Sequence, residues 1–103
     1  MLRVVVTATA LADVAEIVAE LHRKAGGGVA RQYRDSFDRV FFEKLPAHPE
    51  MYQARPKLGA HIRVGAVHPY LVIHRYDPRD WVVSIVRVLH GQRRITPKLI
   101  QTT

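Results

Sequence analysis

The strongest constraint on this chain lies in Trp81-Val82-Val83-Ser84-Ile85-Val86-Arg87-Val88-Leu89, where apolar side chains occupy nearly every position. A strand with one wet face alternates apolar and polar residues, because successive side chains point to opposite sides of a sheet. This stretch does not alternate. It reads as a central strand covered on both faces, and the rest of the chain must supply the covers. Two strand-like pieces precede it: Ile62, Val64 and Ala66 alternate with His61, Arg63 and Gly65, and Tyr70 to Tyr76 follows a turn near Val67 to Pro69. Asp77-Pro78-Arg79-Asp80 has the composition of a turn.

The first half supplies helices. Leu2 to Val6 is β-branched and forms a first strand. Thr7 or Thr9 can then cap a helix. In it Leu11, Val14, Ile17 or Val18, and Leu21 recur at helical spacing, while Asp13, Glu16, Glu20, Arg23 and Lys24 take the other side. Acids come early and bases late, as the helix dipole favours. Ala25-Gly26-Gly27-Gly28 stops this helix. A second runs from about Val29 to Leu45 with Val29, Tyr33, Phe37, Val40, Phe41 and Leu45 on its apolar side, and Pro46 and Pro49 keep it from going further. The short connection makes an antiparallel hairpin with one apolar side for the sheet to meet. Ala47 to Ala60 reads as a loop with an exposed Met51-Tyr52 pair, and the basic end, Arg93 to Thr103, holds a short strand or helix around Ile95, Leu99 and Ile100. The expected fold is a single α+β domain over residues 1–103. Its element order is β-α-α-β-β-β, a small antiparallel sheet packed against an N-terminal α-helical hairpin.

Composition narrows the chemistry. There is no Cys, so disulfides, thiolate zinc sites and thiol catalysis are excluded, in keeping with a cytoplasmic location. No apolar run approaches the ~18 residues of a membrane span. Met1-Leu2-Arg3 before the run Val4 to Ala12 imitates a secretory signal, but a single positive charge precedes the run and Asp13 follows at once, so a strand entering a helix is the better reading. Residues 1–54 carry seven Lys/Arg and seven Asp/Glu, whereas residues 55–103 carry nine Lys/Arg against Asp77 and Asp80. The whole excess of +7 therefore sits in the second half, which points to a nucleic acid or an acidic protein segment as partner. Direct DNA contact would rest on phosphates, through Arg55, Lys57, Arg63, Arg93, Arg94 and Lys98, since the helices carry no recognition pattern. His61, His68 and His74 invite a metal hypothesis, yet their spacing matches no metal motif; neither metal nor cofactor is expected.

Three segments carry a family resemblance. Thr7-Ala8-Thr9-Ala10-Leu11-Ala12-Asp13-Val14-Ala15-Glu16-Ile17 resembles the passage from strand to helix in the ParE/RelE superfamily of bacterial toxins. Tyr70-Leu71-Val72-Ile73-His74-Arg75-Tyr76 resembles its aromatic-Arg strand, and Arg87-Val88-Leu89-His90-Gly91 its Arg-(Ile/Val)-Leu-His ending. The chain departs from the pattern at His74, where the family usually has Tyr, and at Pro69. The resemblance implies the toxin of a type II toxin–antitoxin system of the kind that stabilises plasmids, neutralised by a ParD-like antitoxin whose flexible tail wraps it. RelE-like members cut mRNA on the ribosome; ParE-like members act on DNA gyrase without a known hydrolytic site.

The residues favour the second branch. The ribonuclease branch carries Arg after the aromatic that opens the middle strand and Tyr near the C-terminus; here Leu71 follows Tyr70 and no Tyr follows Tyr76. Arg87 and His90 are three apart, so on an unbroken strand they face opposite ways. Arg87 is expected to pair with a carboxylate or carbonyl. A ribonuclease would need Arg87, His90 and Arg93 gathered round one solvent pocket to activate the 2′-OH and stabilise the phosphorane. For a binder, Arg63, Arg75, Arg87, His90, Arg93 and Arg94 are candidate contacts with target or antitoxin. Tyr33, Phe37 and Phe41 are core residues by spacing, and by resemblance they lie where the antitoxin groove should be. On this reading the chain inhibits DNA gyrase by binding, is held by a ParD-like antitoxin in a hetero-oligomer, and meets DNA only through that antitoxin.

Overall fold

The computed structural model describes residues 2–101; Met1, and residues 102 and 103 of the closing stretch, lie outside them. The elements run β1 (Arg3–Val6), α1 (Ala8–Ala25), α2 (Gly27–Arg39), a π-helical turn (Val40–Lys44), α3 (Leu45–Ala47), β2 (Gln53–Ala54), a 3₁₀ turn (Pro56–Leu58), β3 (Ile62–Val67), β4 (Tyr70–Asp77), β5 (Val82–His90) and α4 (Pro97–Gln101). The five strands form one sheet in the order β1-β5-β4-β3-β2. It is mostly antiparallel, but β1 runs parallel to β5, with Arg3 opposite Val82 and Val6 opposite Ile85. Parallel neighbours need a long crossover, and the helical hairpin begins it.

Thr7 ends β1 and caps α1, its hydroxyl accepting from the Ala10 N–H at 3.2 Å. The bases His22, Arg23 and Lys24 fill the last turn of α1, although no acid stands in its first turn. Gly26, at φ 90°, is the whole linker, for α2 already begins at Gly27. Nor does Pro46 stop the second helix. The helix widens instead: the Leu45 N–H reaches back to the Val40 carbonyl, five residues away. The wider turn gives room to the proline ring, which would collide with the carbonyl four residues before it.

Two apolar layers sandwich the sheet. Phe37, Val40, Phe41 and Leu45 from the helices meet Val72, Tyr76, Val83, Ile85 and Val88. On the reverse, Leu58 and Ile100 cover Ile62, Ile73, Val86 and Leu89. Thus β5 feeds both layers, as its unbroken apolar run requires. A bulge adjusts it: Ile73 pairs with Arg87 and His74 with Ile85, so Val86 is the extra residue. Helix-facing positions therefore switch from Val83 and Ile85 to Val88. Trp81 does not belong to the strand; it sits before it at φ 54°, 62% exposed. Tyr52, read as an exposed loop residue, packs its ring on Gly65, where a Cβ would fall 2.7 Å from it.

Candidate functional site

Three sites follow from this framework, the first at the outer margin of β5. Because β1 stops at Val6, β5 has no strand neighbour on that side beyond Ile85. Side chains from the start of the helical hairpin take over. Thr7 donates its hydroxyl to the Ile85 carbonyl at 2.9 Å, and Asp13 accepts from the Val88 N–H at 2.9 Å. Asp13 also holds Arg87 in a two-pronged pair, at 2.8 Å to Nε and 3.0 Å to Nη2. Arg87 further donates to the Leu99 carbonyl at 3.3 Å, so it ties α1 on one side of the sheet to α4 on the other. Both side chains are about nine-tenths buried, and the hydrogen bonds that Arg87 donates to Asp13 raise the guanidinium pKa. Asp13, assigned from spacing to the solvent side of α1, is interior for this reason. Arg87 thus ties the fold together, with only about a tenth of its side chain exposed.

The second site is a groove between α1 and the second helix, with a volume of about 460 Å³. Leu11, Val14 and Val18 form one wall, Phe41 and Phe42 the other, and Arg34 and Asp38 mark the polar rim. Leu11 and Phe42 are more than half exposed. The π turn helps to make it: its extra residue lets Phe41 pack inward while Phe42 stands edge-on to it, ring centres 6.0 Å apart. Of the aromatic trio expected here, only Phe41 lines the groove. Phe37 is fully buried beneath the helix, and Tyr33 turns elsewhere, edge-on to Tyr70 at 5.6 Å. Phe42 was not expected. The signal was present in the adjacent Phe41-Phe42 pair, since two neighbouring side chains cannot share one helical face, and in Leu11, Ala15 and Val18, an apolar stripe beside the core-facing one.

The third is a groove of about 470 Å³ where His90 and Arg93 do meet, together with Tyr70, Lys24, Glu16 and Glu20. His90 ends β5 edge-on to Tyr70 at 5.6 Å, and its Nδ1 accepts from the Gln92 N–H. Burial pushes the Tyr70 phenol above its ordinary pKa, Tyr33 adds to this, and Lys24 opposes it. Lys24 is paired with Glu20 at 3.0 Å, and Arg23 with the same carboxylate. Arg87 is absent from this groove, so the trio a ribonuclease would need is split.

The remaining candidates are scattered. Arg63 on β3 donates to the Tyr52 carbonyl at 2.7 Å and fastens the β2 edge. Arg75 is exposed on β4, and Arg94 lies just past the turn that follows β5. Among the described residues no three His, Cys, Asp or Glu stand close enough to hold a metal ion. His74 is fully buried instead: its Nδ1 bonds the Val72 carbonyl at 3.0 Å, its Nε2 has no hydrogen-bond partner among the described residues, and its ring stands edge-on to Tyr52. Among the described residues no helix is long and apolar enough to cross a membrane.

Comparison with known proteins bears on these sites. The model of the family described as the ParE toxin of the type II toxin-antitoxin system parDE matches residues 4–95. Among solved structures, one described as the chromosomal ParDE TA system from P. aeruginosa superposes with a TM-score of 0.72 at 19% identity, covering 89% of this chain and 98% of that one. At that identity the likeness speaks for the fold alone. Comparison with curated proteins gives no match. The family match spans β1, the helical hairpin and the sheet through β5, and with it the groove between the helices. The chain belongs to the ParE toxin family of type II toxin–antitoxin systems.

Proposed function

We propose that this toxin inhibits DNA gyrase by binding, without hydrolytic chemistry, and that a ParD-like antitoxin restrains it by laying an apolar segment in the groove between the helices. The groove carries the reading: Leu11 and Phe42, both more than half exposed, line one apolar trough with Arg34 and Asp38 at its polar rim, the pattern that marks a contact surface. An amphipathic helix fits such a trough, and an extended continuation would gain main-chain hydrogen bonds along β1, whose outer side no strand occupies. Ordering a flexible tail costs ~2–5 kcal/mol, so tight restraint calls for an interface above the ~1,600 Å² of an ordinary complex. DNA is reached through the antitoxin.

The third groove supports a second reading, a ribosome-dependent mRNA endonuclease of the RelE type, because His90, Arg93 and Tyr70 line one groove. Its electrostatics count against it. Glu16 and Glu20 face the same space and repel a phosphate, and a phenol with a raised pKa is a poor base at neutral pH. A supercoiling assay with purified gyrase, run beside a translating extract in which mRNA ends are mapped, separates the two. Loss of supercoiling with intact message is the expected result; codon-positioned cuts with normal supercoiling would reverse the choice.

A further inference from the structure

The reverse face of the sheet is only half covered. Leu58, Ile95, Leu99 and Ile100 roof the part around Ile62, Ile73, Val86 and Leu89. The part nearest the β4–β5 turn is open. There Arg3 pairs in register with Val82, and Ser84 lies between Val5 on β1 and Arg75 on β4, so these side chains share one face. Arg3, Val5 and Arg75 are all exposed. A concavity lined by Arg3, Arg75, Arg79 and Ser84 occupies this corner. Two strand spacings of about 4.8 Å and a two-residue offset of about 3.3 Å per residue set the two arginine Cα atoms ~12 Å apart.

Trp81 lies in the chain between Asp80 and Val82, two residues that line this concavity, with its own side chain outside the lining. It is the most exposed of the large apolar side chains and the only tryptophan of the chain. Its φ of 54° is one that a bulky residue avoids, and the Arg3 N–H holds it there by bonding the Trp81 carbonyl at 3.0 Å. A costly backbone that displays an indole to solvent does nothing for the core, and strain of this kind collects at working sites.

We propose that this corner, centred on Trp81 with Arg3 and Arg75, is the surface by which the toxin grips its target, and that the target meets it with an apolar pocket in an acidic rim on a protein. The inference rests on the reading of the toxin as a binding inhibitor. Trp and Arg are the residue types that dominate interface energetics. Arg79 is already committed to Asp77, at 2.8 Å. Arg3 and Arg75, by contrast, have no carboxylate within ion-pair distance among the described residues, so their charges are free to meet a partner's. The charges are also mixed: Asp77 and Asp80 line the same concavity. They would repel a phosphate chain, whereas a protein surface can match both signs. The corner lies on the opposite face of the sheet from the helical groove. A segment added along β1 would nevertheless stand beside Arg3, so antitoxin and target compete at this margin.

The test uses the full chain and two variants, Trp81→Gly and Arg75→Ala, read for gyrase inhibition, melting temperature and antitoxin affinity. Glycine accepts a positive φ, so Trp81→Gly is expected to keep or raise the melting temperature while weakening inhibition at least about tenfold. Arg75→Ala should weaken inhibition in the same direction, and both should bind antitoxin within about twofold of the parent. Inhibition unchanged in both variants overturns the proposal and leaves the inhibitor reading intact. A parent chain that does not inhibit gyrase removes both. An equal loss of antitoxin affinity would give the corner to the antitoxin, and a fallen melting temperature would make the indole structural. The lone tryptophan also reports on a rival class of ligand: quenching by a single-stranded DNA oligonucleotide in the absence of gyrase would assign the corner to nucleic acid.

Discussion

Asp13 and Arg87 show how one pair of residues can replace a strand. Removing either partner leaves the other charged and buried, which typically costs about 3–5 kcal/mol. Arg87→Ala should therefore lose about 3 kcal/mol in urea unfolding, with toxicity falling alongside stability. A variant that loses toxicity at an unchanged melting temperature would return Arg87 to the functional residues. Asp13→Asn should behave similarly, since an amide can still accept from Val88 but cannot balance the guanidinium. His74 makes a different prediction. Burial lowers its pKa, the bond to Val72 opposes the shift, and Arg63 adds to it. The unfolded chain then takes up a proton at higher pH than the folded one, so stability is whole above about pH 6.5 and declines as pH falls below that value. Thermal melts of His74→Phe should show a flatter dependence over the same range. At stronger acid Asp77 follows: the hydrogen bond from Arg79 holds its carboxyl down to about 2, so its contribution is lost as pH falls from the ordinary carboxylate value toward that figure.

At the scale of elements, the helical hairpin has two apolar sides where the sheet needs one. Leu11, Val18 and Phe42 belong to the second side, and a charge there should be harmless to the free toxin. Phe42→Asp is expected to leave the melting temperature within a few degrees while weakening antitoxin binding at least about tenfold, measured by titration calorimetry. Phe37 provides the contrast. Its ring is wholly interior, so Phe37→Ala should cost about 3–5 kcal/mol and depress every activity through unfolding. Periodicity located both helices because Phe37, Val40 and Leu45 face one layer. It could not foresee the π turn, since one inserted residue changes which of two adjacent phenylalanines points outward without changing the composition. The same limit applies to β5. Its double burial was legible in Val83 to Leu89, but the bulge at Val86 was not, because a parity change inside a continuous apolar run leaves no polar residue out of place. Trp81 was drawn into that run by its hydrophobicity, although its backbone lies outside the strand.

For the molecule as a whole, the order of elements and the family were readable from the chain, and the pairing of strands was not. Val4 to Val6 announces a strand without naming its neighbour; only folding shows that it lies beside the last strand and not beside another of the antiparallel set. The candidate site was legible where chemistry dictated it, as with Arg87 seeking a carboxylate, and illegible where it depended on shape, as with the groove and the open corner at Trp81.

The shortness of β1 has a further consequence. A sheet normally offers two margins on which a stranger's backbone can grow. Here the far half of the β5 margin is stoppered by a carboxylate and a hydroxyl, and the opposite side ends in the two-residue β2. Among the described residues, Arg3 to Val6 form a four-residue docking rail for another chain, and Gly65 to Val67 of β3, which β2 does not reach, form a shorter one. A chain that zips onto Arg3 to Val6 stands beside both the helical trough and the tryptophan corner, so one short visitor can govern both.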